Sequence, residues 1–454
     1  MRRVVRVLIR SMAGAAISRL IAVGVATVVL GSSSPGLLAA PQEQRREPPV
    51  HPADQIQRES GTPTPLAVLI EEATKNDPAI HSAESAARAA TFASSQASTL
   101  PDPQFTLQQF SVGSPRPFAG YTNSDFAYIG LGVSQQFPYP GKRKLRGEVA
   151  DRDADATKAH VEVVLHDEIE TLKTTYFHLA YLQQTLGILQ QNEALLQQIE
   201  QQARAHYSTG QGNQRDVLKA QLERTKILRE ISMHHQLVGE DQAVLKRILR
   251  RSQDSPAIIP EPLSATFLRY TASELLDKVR GQNPNVQEDA AMIQRNQMAV
   301  ELAQKEFRPD FEVSYMYENT DRKFRDYYML SFSVNFPRRK SRRATLAQAQ
   351  VNVERAQQEQ DAQVQAVLAE VQKQYVTIKA SEEQLLIYRD GLIPQAQATI
   401  QAGLASYQSN RTDFESLFSS YMDVLNLDLE YQQTLLDHDT AVAHIERLTG
   451  VTLP

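Results

Sequence analysis

In two short segments, an arginine and an aspartate follow within six residues of a residue that tolerates a left-handed backbone. They are YSTGQGNQRDVL (207–218) and YQSNRTDFESL (407–417). A ring of carboxylates around an aperture selects and binds cations, and arginine–aspartate pairs between neighbouring subunits can hold an aperture shut. An aspartate at a helix start can instead cap that helix, and the two roles are compatible. The candidate residues are Gly210, Arg215, Asp216, Asn410, Arg411 and Asp413.

Two further segments concentrate cations where an alternating apolar pattern gives way to a long helical one. They are FPYPGKRKLR (137–146) and FPRRKSRR (336–343). The helix dipole disfavours cations at a helix N-terminus, so each cluster is expected to have an anionic partner. Lipid phosphates would contribute about 1 kcal/mol per residue, and salt bridges to acidic helices of neighbouring subunits are the alternative. The clustered cations are Lys142, Arg143, Lys144, Arg146, Arg338, Arg339, Lys340, Arg342 and Arg343.

Other residue patterns give little support for metal binding or catalysis. The adjacent His234 and His235 point to different helix faces, and His160 and His166 are poorly placed to share one. The absence of cysteine excludes disulfides and thiolate ligands, and no phosphate loop or nucleophile motif is present. A net charge of −5 gives no electrostatic case for nucleic-acid binding. The sequence therefore predicts no metal site, no cofactor, no nucleic-acid partner and no enzymatic activity.

The N-terminal region has the layout of a secretory signal peptide, which is predicted over residues 1–40. Arginines precede an apolar core near residues 20–30, and the small residues SSSPGLLAA follow. A single inner-membrane anchor is the alternative, although the core is short for a span of about 20 residues. Residues 41–63 are polar and Pro-rich, which indicates an extended arm. No later segment resembles a transmembrane helix, so any membrane insertion would have to use strands.

The rest of the chain repeats one plan, over residues 64–255 and again over 264–450. Each half opens with a helix, in the first from an N-cap at Thr64 to about Ser98, and in the second after a capping box at Thr271. Asp77-Pro78 in the first helix matches Asn283-Pro284 in the second.

Two strand-like segments follow the opening helix in each half. They cover 104–112 and 126–137 in the first half, and 311–319 and 327–336 in the second. Apolar and polar residues alternate in these segments, and lengths of about 9–11 residues suit a tilted crossing of a bilayer. The alternative is a soluble antiparallel sheet with one solvent-exposed face, and strand length does not exclude it.

A long helix and a return helix complete each half. The first long helix runs without proline from Lys142 to about His206, on the order of 95 Å. Heptad repeats of apolar residues at matching positions in both halves predict coiled-coil packing, with a kink at Pro394. Those positions are Leu165, Leu172, Leu179 and Leu186, and Val364, Val371, Ile378 and Leu385.

The order of these motifs resembles the TolC-like outer-membrane efflux protein family over roughly residues 64–450. The first half carries the resemblance in LAVLIEEATKNDPAI with TLPDPQF, in FPYPGKR, and in AHYSTGQGNQRDVLKAQ. The second half carries weaker copies in NPNV with FRPDF, FPRRKSRR and ASYQSNRTDFESLF. The FPYPGKR form is most similar to the heavy-metal branch of outer-membrane factors that serve RND-type pumps.

The resemblance implies an α+β membrane protein with an internal two-fold repeat, acting as a homotrimer. Its four strands per protomer would form a 12-stranded transmembrane β-barrel, continued by a periplasmic α-helical barrel of coiled coils. The family function is an exit duct that accepts substrates from a periplasmic adaptor and an inner-membrane RND-type pump. The two turns would lie at the periplasmic aperture, and the basic clusters at the level of outer-membrane lipid headgroups. Heavy-metal cations are the expected cargo, with drugs and organic solvents as alternatives.

The rival interpretation is a periplasmic adaptor or other coiled-coil scaffold of an export system. Such an adaptor would have one helical hairpin flanked by small β-domains, whereas this sequence predicts two hairpins and four strand-like segments. The two interpretations differ in membrane partition, since a channel would be a heat-modifiable outer-membrane trimer.

Overall fold

A computed structural model of the chain describes residues 62–111, 127–264, 266–320, 326–409 and 411–453. The predicted signal peptide, nearly all of the predicted N-terminal arm and Asn410 lie outside the described residues. The first half comprises helices α1 (Leu66–Asn76) and α2 (Pro78–Ser98), strands β1 (Gln104–Phe110) and β2 (Tyr128–Phe137), and helices α3 (Lys142–Ser208) and α4 (Gln214–Ile248).

The second half follows the same order of elements. It comprises helices α5 (Ala272–Gln282) and α6 (Pro284–Lys305), strands β3 (Asp310–Thr320) and β4 (Asp326–Asn335), the long helix α7 (Arg339–Ile387), a π-helical turn (Tyr388–Leu392), and helices α8 (Ile393–Gln408) and α9 (Phe414–Thr449). No helix in the described ranges is long and apolar enough to cross a membrane.

The opening helix of each half differs from the sequence prediction, because it is two helices rather than one. Asp77 and Asn283 are extended and serve as the N-caps of α2 and α6, each followed by proline at the first helical position. Proline is tolerated there, but it disfavours a helical conformation in the residue before it, which ends α1 and α5. Pro65, and not Thr64, precedes α1, whereas the capping box predicted at Thr271 is present.

Asp77 places a second carboxyl near Glu168, which gives a testable pH dependence. Burial raises the pKa of Glu168 above its ordinary value of 4.5, the Asp77 charge adds to the rise, and Arg247 opposes it. A raised pKa favours the folded state in acid, and this stabilisation is lost as pH increases through the raised value. Asp77→Asn keeps a capping side chain and removes the neighbouring charge. We therefore expect the variant to lose less stability between pH 4 and pH 8 than the wild type.

Urea unfolding of the detergent-solubilised protein, followed by circular dichroism across that pH range, measures the difference. Glu168→Gln is the companion variant and should flatten the same slope. Equal slopes in the wild type and in both variants would show that this pair of carboxyls does not set the pH dependence.

Six of the eight predicted heptad residues are buried between the long and return helices, whereas Leu165 and Val364 are half-buried. Two apolar clusters have the same composition of elements, one from α1, α3 and α4 and the other from α5, α7 and α9. Because apolar side chains at seven-residue spacing stay on one face, these helices pack side by side along their length. The fully buried residues are Leu69, Leu172, Leu179, Leu245 and Ile248 in the first cluster, and Leu275, Val279, Val371, Ile378 and Ile445 in the second.

The predicted kink region contains a wide helical turn directly before Pro394. The π-helical turn ends at Leu392, and Pro394 occupies the first turn of α8. Proline removes a hydrogen-bond donor and crowds the carbonyl four residues earlier, and a wider turn is one way to accommodate it.

The four strands form one antiparallel sheet in the order β1-β2-β3-β4. β1 ends at Phe110, short of the predicted residue 112, and β4 ends at Asn335, one residue before the predicted end. The ladder between β2 and β3 joins the two halves of the chain through ten residue pairs. β1 and β4 are the edges, and their outer sides pair with no strand among the described residues.

The sheet has one apolar face and one largely polar face. Phe105, Val133, Tyr315 and Leu330 are cross-strand neighbours in one row, and the two at the edges, Phe105 and Leu330, are 82% and 74% exposed. The next row on the opposite face is Gln104, Ser134, Ser314 and Ser331. An exposed apolar face of this extent requires a non-aqueous partner.

Candidate functional site

The basic cluster at 142–146 is partly buried, in contrast to the expectation that it faces lipid headgroups. Lys142 is only 1% exposed. Its Nζ donates hydrogen bonds to the Arg308 carbonyl oxygen at 2.8 Å and to Asp310 Oδ1 at 2.9 Å, and lies 3.3 Å from Glu306 Oε2. The Lys142 charge is therefore neutralised within the chain and is unavailable to a lipid.

Gly141 and Tyr139 form the turn that directly precedes Lys142. Gly141 adopts a φ of 92°, in the left-handed region that favours glycine. The Tyr139 backbone N–H donates to Asp310 Oδ1 at 2.8 Å. Asp310 thus binds both Tyr139, after the end of β2, and Lys142, the first residue of α3. These two contacts fix the orientation of α3 relative to β2.

Glu306 joins the two basic clusters, although they are about 200 residues apart in the sequence. Arg146 Nη2 donates to Glu306 Oε1 at 2.8 Å, and Arg342 Nη2 lies 3.5 Å from Glu306 Oε2. Burial would raise the pKa of Glu306, but hydrogen bonds and charges from Arg146 and Lys142 outweigh it and lower that pKa. The starts of α3 and α7 are therefore held beside one ionised carboxylate.

The acidic partners of these cations belong to the same chain. The sequence interpretation had offered lipid phosphates or, alternatively, acidic helices of neighbouring subunits. Asp310 lies in the FRPDF segment (307–311) and Glu306 directly precedes it, and that segment had been used only as part of the family resemblance. The available signal was the correspondence between FRPDF and TLPDPQF, since both segments place a Pro and an Asp directly before a strand. Lys144 differs from Lys142, because it is exposed and lies 3.4 Å from Glu148 on its own helix.

The first predicted turn lies at the tip of the hairpin formed by α3 and α4. Gly210 has a φ of 76°, as a left-handed residue at a helix end requires. The backbone N–H groups of Gln211 and Gly212 both donate to the His206 carbonyl oxygen, at 2.8 and 3.1 Å. At the second tip, the Arg411 N–H donates to the Ser406 carbonyl oxygen at 2.9 Å.

The two tip aspartates have different roles in the structure. Asp413 is the N-cap of α9 and accepts a hydrogen bond from the Ser416 N–H at 2.7 Å, which lowers the pKa of Asp413. Asn213, and not Asp216, precedes α4, so Asp216 lies in the first turn rather than at the cap. Asp216 is nearly buried, and its charge adds to the effect of burial in raising the pKa of Tyr407.

The tip arginines are exposed and available to a neighbouring molecule. Arg215 Nε lies 3.8 Å from Asp216 Oδ1, and the Arg215 side chain is 78% exposed. Within the described part of one chain, Arg215 and Asp413 form no ion pair with each other. Any lock between these two residues would therefore have to form between subunits.

Contacts that were not predicted from the sequence join the two hairpins at their tips. Lys219 Nζ of α4 donates to Glu415 Oε1 of α9 at 2.6 Å and lies 4.5 Å from the centre of the Phe418 ring. The His206 and Tyr407 rings stack at 4.7 Å. These contacts cover an apolar cluster that includes Leu417 and Tyr421, both fully buried.

Among the described residues, no three histidine, cysteine, aspartate or glutamate side chains are grouped so that they could hold a metal ion.

The sequence and the fold both match known proteins. The family model for the outer membrane efflux protein matches residues 69–249 and 275–443, which together make up most of the chain. The chain belongs to the outer membrane efflux protein family. Efflux proteins of this family are transport conduits of the outer membrane and not enzymes. No curated protein sequence matches the chain significantly.

Solved structures share the fold of this efflux protein. The outer-membrane channel OprN aligns with 85% of this chain and 89% of its own, at 17% identity and a TM-score of 0.72. CusC aligns over 85% and 92%, at 14% identity and a TM-score of 0.70. The outer membrane protein VceC of Vibrio cholerae aligns over 86% and 97%, at 16% identity and a TM-score of 0.70.

Proposed function

We propose that this efflux protein is the passive exit duct of a tripartite efflux system. In this proposal the chain is a product of internal duplication and acts as a homotrimer with a 12-stranded transmembrane barrel and a periplasmic α-helical barrel. A periplasmic adaptor and an inner-membrane RND-type pump deliver the cargo to its tips.

The observation that carries the proposal is the open-edged sheet. Hydrogen-bonding groups at the edge of a sheet cannot face lipid, so four strands with an apolar face must close with other copies. β2, β3 and β4 have 10, 11 and 10 residues, which suits tilted strands that cross a bilayer. Three copies supply twelve strands, an even number within the known range of such barrels.

The long helices supply the second part of the proposed duct. α3 has 67 residues, and at about 1.5 Å per residue it extends on the order of 100 Å from the sheet to the tip. The tips lie at the far end of the helices from the strands, where a conduit would receive cargo from a pump complex.

Insertion of the purified protein into planar bilayers tests the channel function. We expect discrete single-channel currents from a species that migrates as a trimer on a gel before heating and as a monomer afterwards. A protein that stays soluble and monomeric in the periplasm would instead support the adaptor or scaffold interpretation.

The tip charges are proposed to hold the aperture closed through contacts between subunits. Asp413→Asn removes the charge and keeps a residue that can cap α9, whereas Asp413→Ala removes both. We expect the Arg215→Gln/Asp413→Asn double variant to raise single-channel conductance at least twofold, because both ends of the proposed lock are neutralised. A conductance increase in Asp413→Ala without an increase in Asp413→Asn would assign the effect to loss of the cap, which contradicts the lock.

The cargo is proposed to be heavy-metal cations. The support is the FPYPGKR segment, whose form is most similar to the heavy-metal branch of the family. A deletion strain tested against metal salts, drugs and organic solvents separates the alternatives. Increased sensitivity to metal salts is expected, and sensitivity confined to drugs or solvents would reassign the cargo.

A further inference from the structure

The structure leaves five cations of the two basic clusters without an ion partner among the described residues. Of the nine clustered cations, Lys142, Arg146 and Arg342 are neutralised by Glu306 and Asp310, and Lys144 is paired with Glu148. The remaining five are called the basic collar and are Arg143, Arg338, Arg339, Lys340 and Arg343.

The collar residues lie together at one end of the sheet. Arg146 and Arg342 contact the same carboxylate, Glu306, so the first turns of α3 and α7 are held close to each other. Arg143 is half-buried, and the other four collar residues are exposed. All five lie just before or within the first five residues of a long helix, where the helix dipole is unfavourable to cations. Glu306 and Asp310 already bind other cations, and no carboxylate of the described residues forms an ion pair with a collar residue, so the collar needs a further anionic partner.

The apolar face of the sheet ends directly beside the collar. Phe137, Phe311 and Val334 form the last apolar row of the sheet, and Phe336, two residues before Arg338, is 76% exposed. A lipid leaflet has a matching order of layers, because its apolar hydrocarbon layer is followed directly by charged phosphate groups. The guanidinium group binds phosphate through paired hydrogen bonds, and four of the five collar residues are arginine.

We propose that the basic collar binds the phosphate groups of anionic phospholipids in the leaflet on the helical side of the membrane. The proposal rests on the proposed function, because it requires the strands to lie in a bilayer. The collar would hold the protein at the phosphate level of that leaflet by electrostatic contact.

A charge-neutralised collar tests the proposal. The collar variant replaces all five residues with glutamine. The matched control replaces five exposed cations elsewhere on the helices with glutamine, namely Lys158, Arg204, Arg229, Arg355 and Lys373. Each protein is reconstituted into nanodiscs of 70% phosphatidylcholine and 30% phosphatidylglycerol and re-extracted in mild detergent. Mass spectrometry then measures the ratio of the two lipids that stay bound.

We expect phosphatidylglycerol to be enriched on the wild type and the control, and its enrichment to fall at least fivefold on the collar variant. This corresponds to the loss of about one effective cation–phosphate contact at a membrane surface. The enrichment on the wild type should also fall between 50 and 500 mM NaCl, because salt screens exposed charges. Equal enrichment on all three proteins overturns the proposal.

A second readout separates this proposal from the channel proposal and from contacts between subunits. Single-channel currents of the collar variant in pure phosphatidylcholine should match the wild type, since no anionic lipid is present there. If currents are normal but lipid enrichment is unchanged by the substitutions, the collar proposal fails and the channel proposal stands. If the collar variant loses its trimer in uncharged detergent, the cations pair with a neighbouring subunit, which also overturns lipid binding.

Discussion

Replacing Lys142 with methionine is expected to lower the free energy of unfolding by about 3 kcal/mol. Lys142 is 1% exposed. Its ammonium group donates hydrogen bonds to the Arg308 carbonyl and to Asp310, and forms an ion pair with Glu306. Methionine has a similar length but no charge, so the acceptors would lose their donor in a site that water hardly reaches. Removing one partner of a buried ion pair is costly, because the remaining charge stays uncompensated.

The matched control is Lys144→Met, two residues away in the same first turn. Its side chain is 81% exposed and its ion pair with Glu148 lies on the surface, so little change in stability is expected. Urea unfolding followed by circular dichroism at 222 nm suits this protein, which has no tryptophan. If the two variants unfold at the same urea concentration, the buried network does not contribute to stability.

Introducing an arginine at Leu330 is expected to prevent stable insertion into the membrane. Leu330 lies in the apolar row with Phe105, Val133 and Tyr315. An arginine on the lipid face near the middle of a bilayer costs about 2–4 kcal/mol in each chain. In a trimer this cost would occur three times, and the yield of heat-modifiable trimer from membranes should fall below a tenth of the wild-type yield.

The adjacent Ser331 provides the control, because neighbouring residues of a strand point to opposite faces. Ser331 pairs with Ser314 on the polar face. Ser331→Arg should assemble normally and shift ion selectivity towards anions, as a ring of cations inside a pore does. Loss of trimer in Ser331→Arg with normal assembly of Leu330→Arg would reverse the assignment of the two faces.

Periodic features of the fold could be predicted from the sequence, because they depend on near neighbours. Alternation placed Leu330 and Phe332 on one strand face, and heptad spacing placed Leu172 and Leu179 on one helix face. Element ends were less well predicted where a proline acts, as at Asp77-Pro78, since the residue before proline both ends one helix and caps the next.

The charged contacts of the candidate sites could not be predicted in the same way. Arg146 and Glu306 are 160 residues apart, so their contact depends on the packing of α3 against α6 and of β2 against β3. The same packing buries Lys142, although charged residues in a basic cluster would be expected at the surface from the sequence alone. At the tips, Asp413 and Asp216 have similar sequence surroundings, yet a difference of three positions relative to the helix start makes one a cap and the other a nearly buried carboxylate.

The unequal ladders of the sheet have a consequence for the order of assembly. The ladders within one chain contain seven, ten and ten residue pairs. In the proposed trimer each subunit boundary joins β4 to the β1 of a neighbour, and the seven residues of β1 limit its length. The boundary between subunits is thus shorter than the ladder that joins the two halves of each chain. Each four-stranded sheet should therefore form first as a unit, and closure of the ring should be the last and most concentration-dependent step of biogenesis.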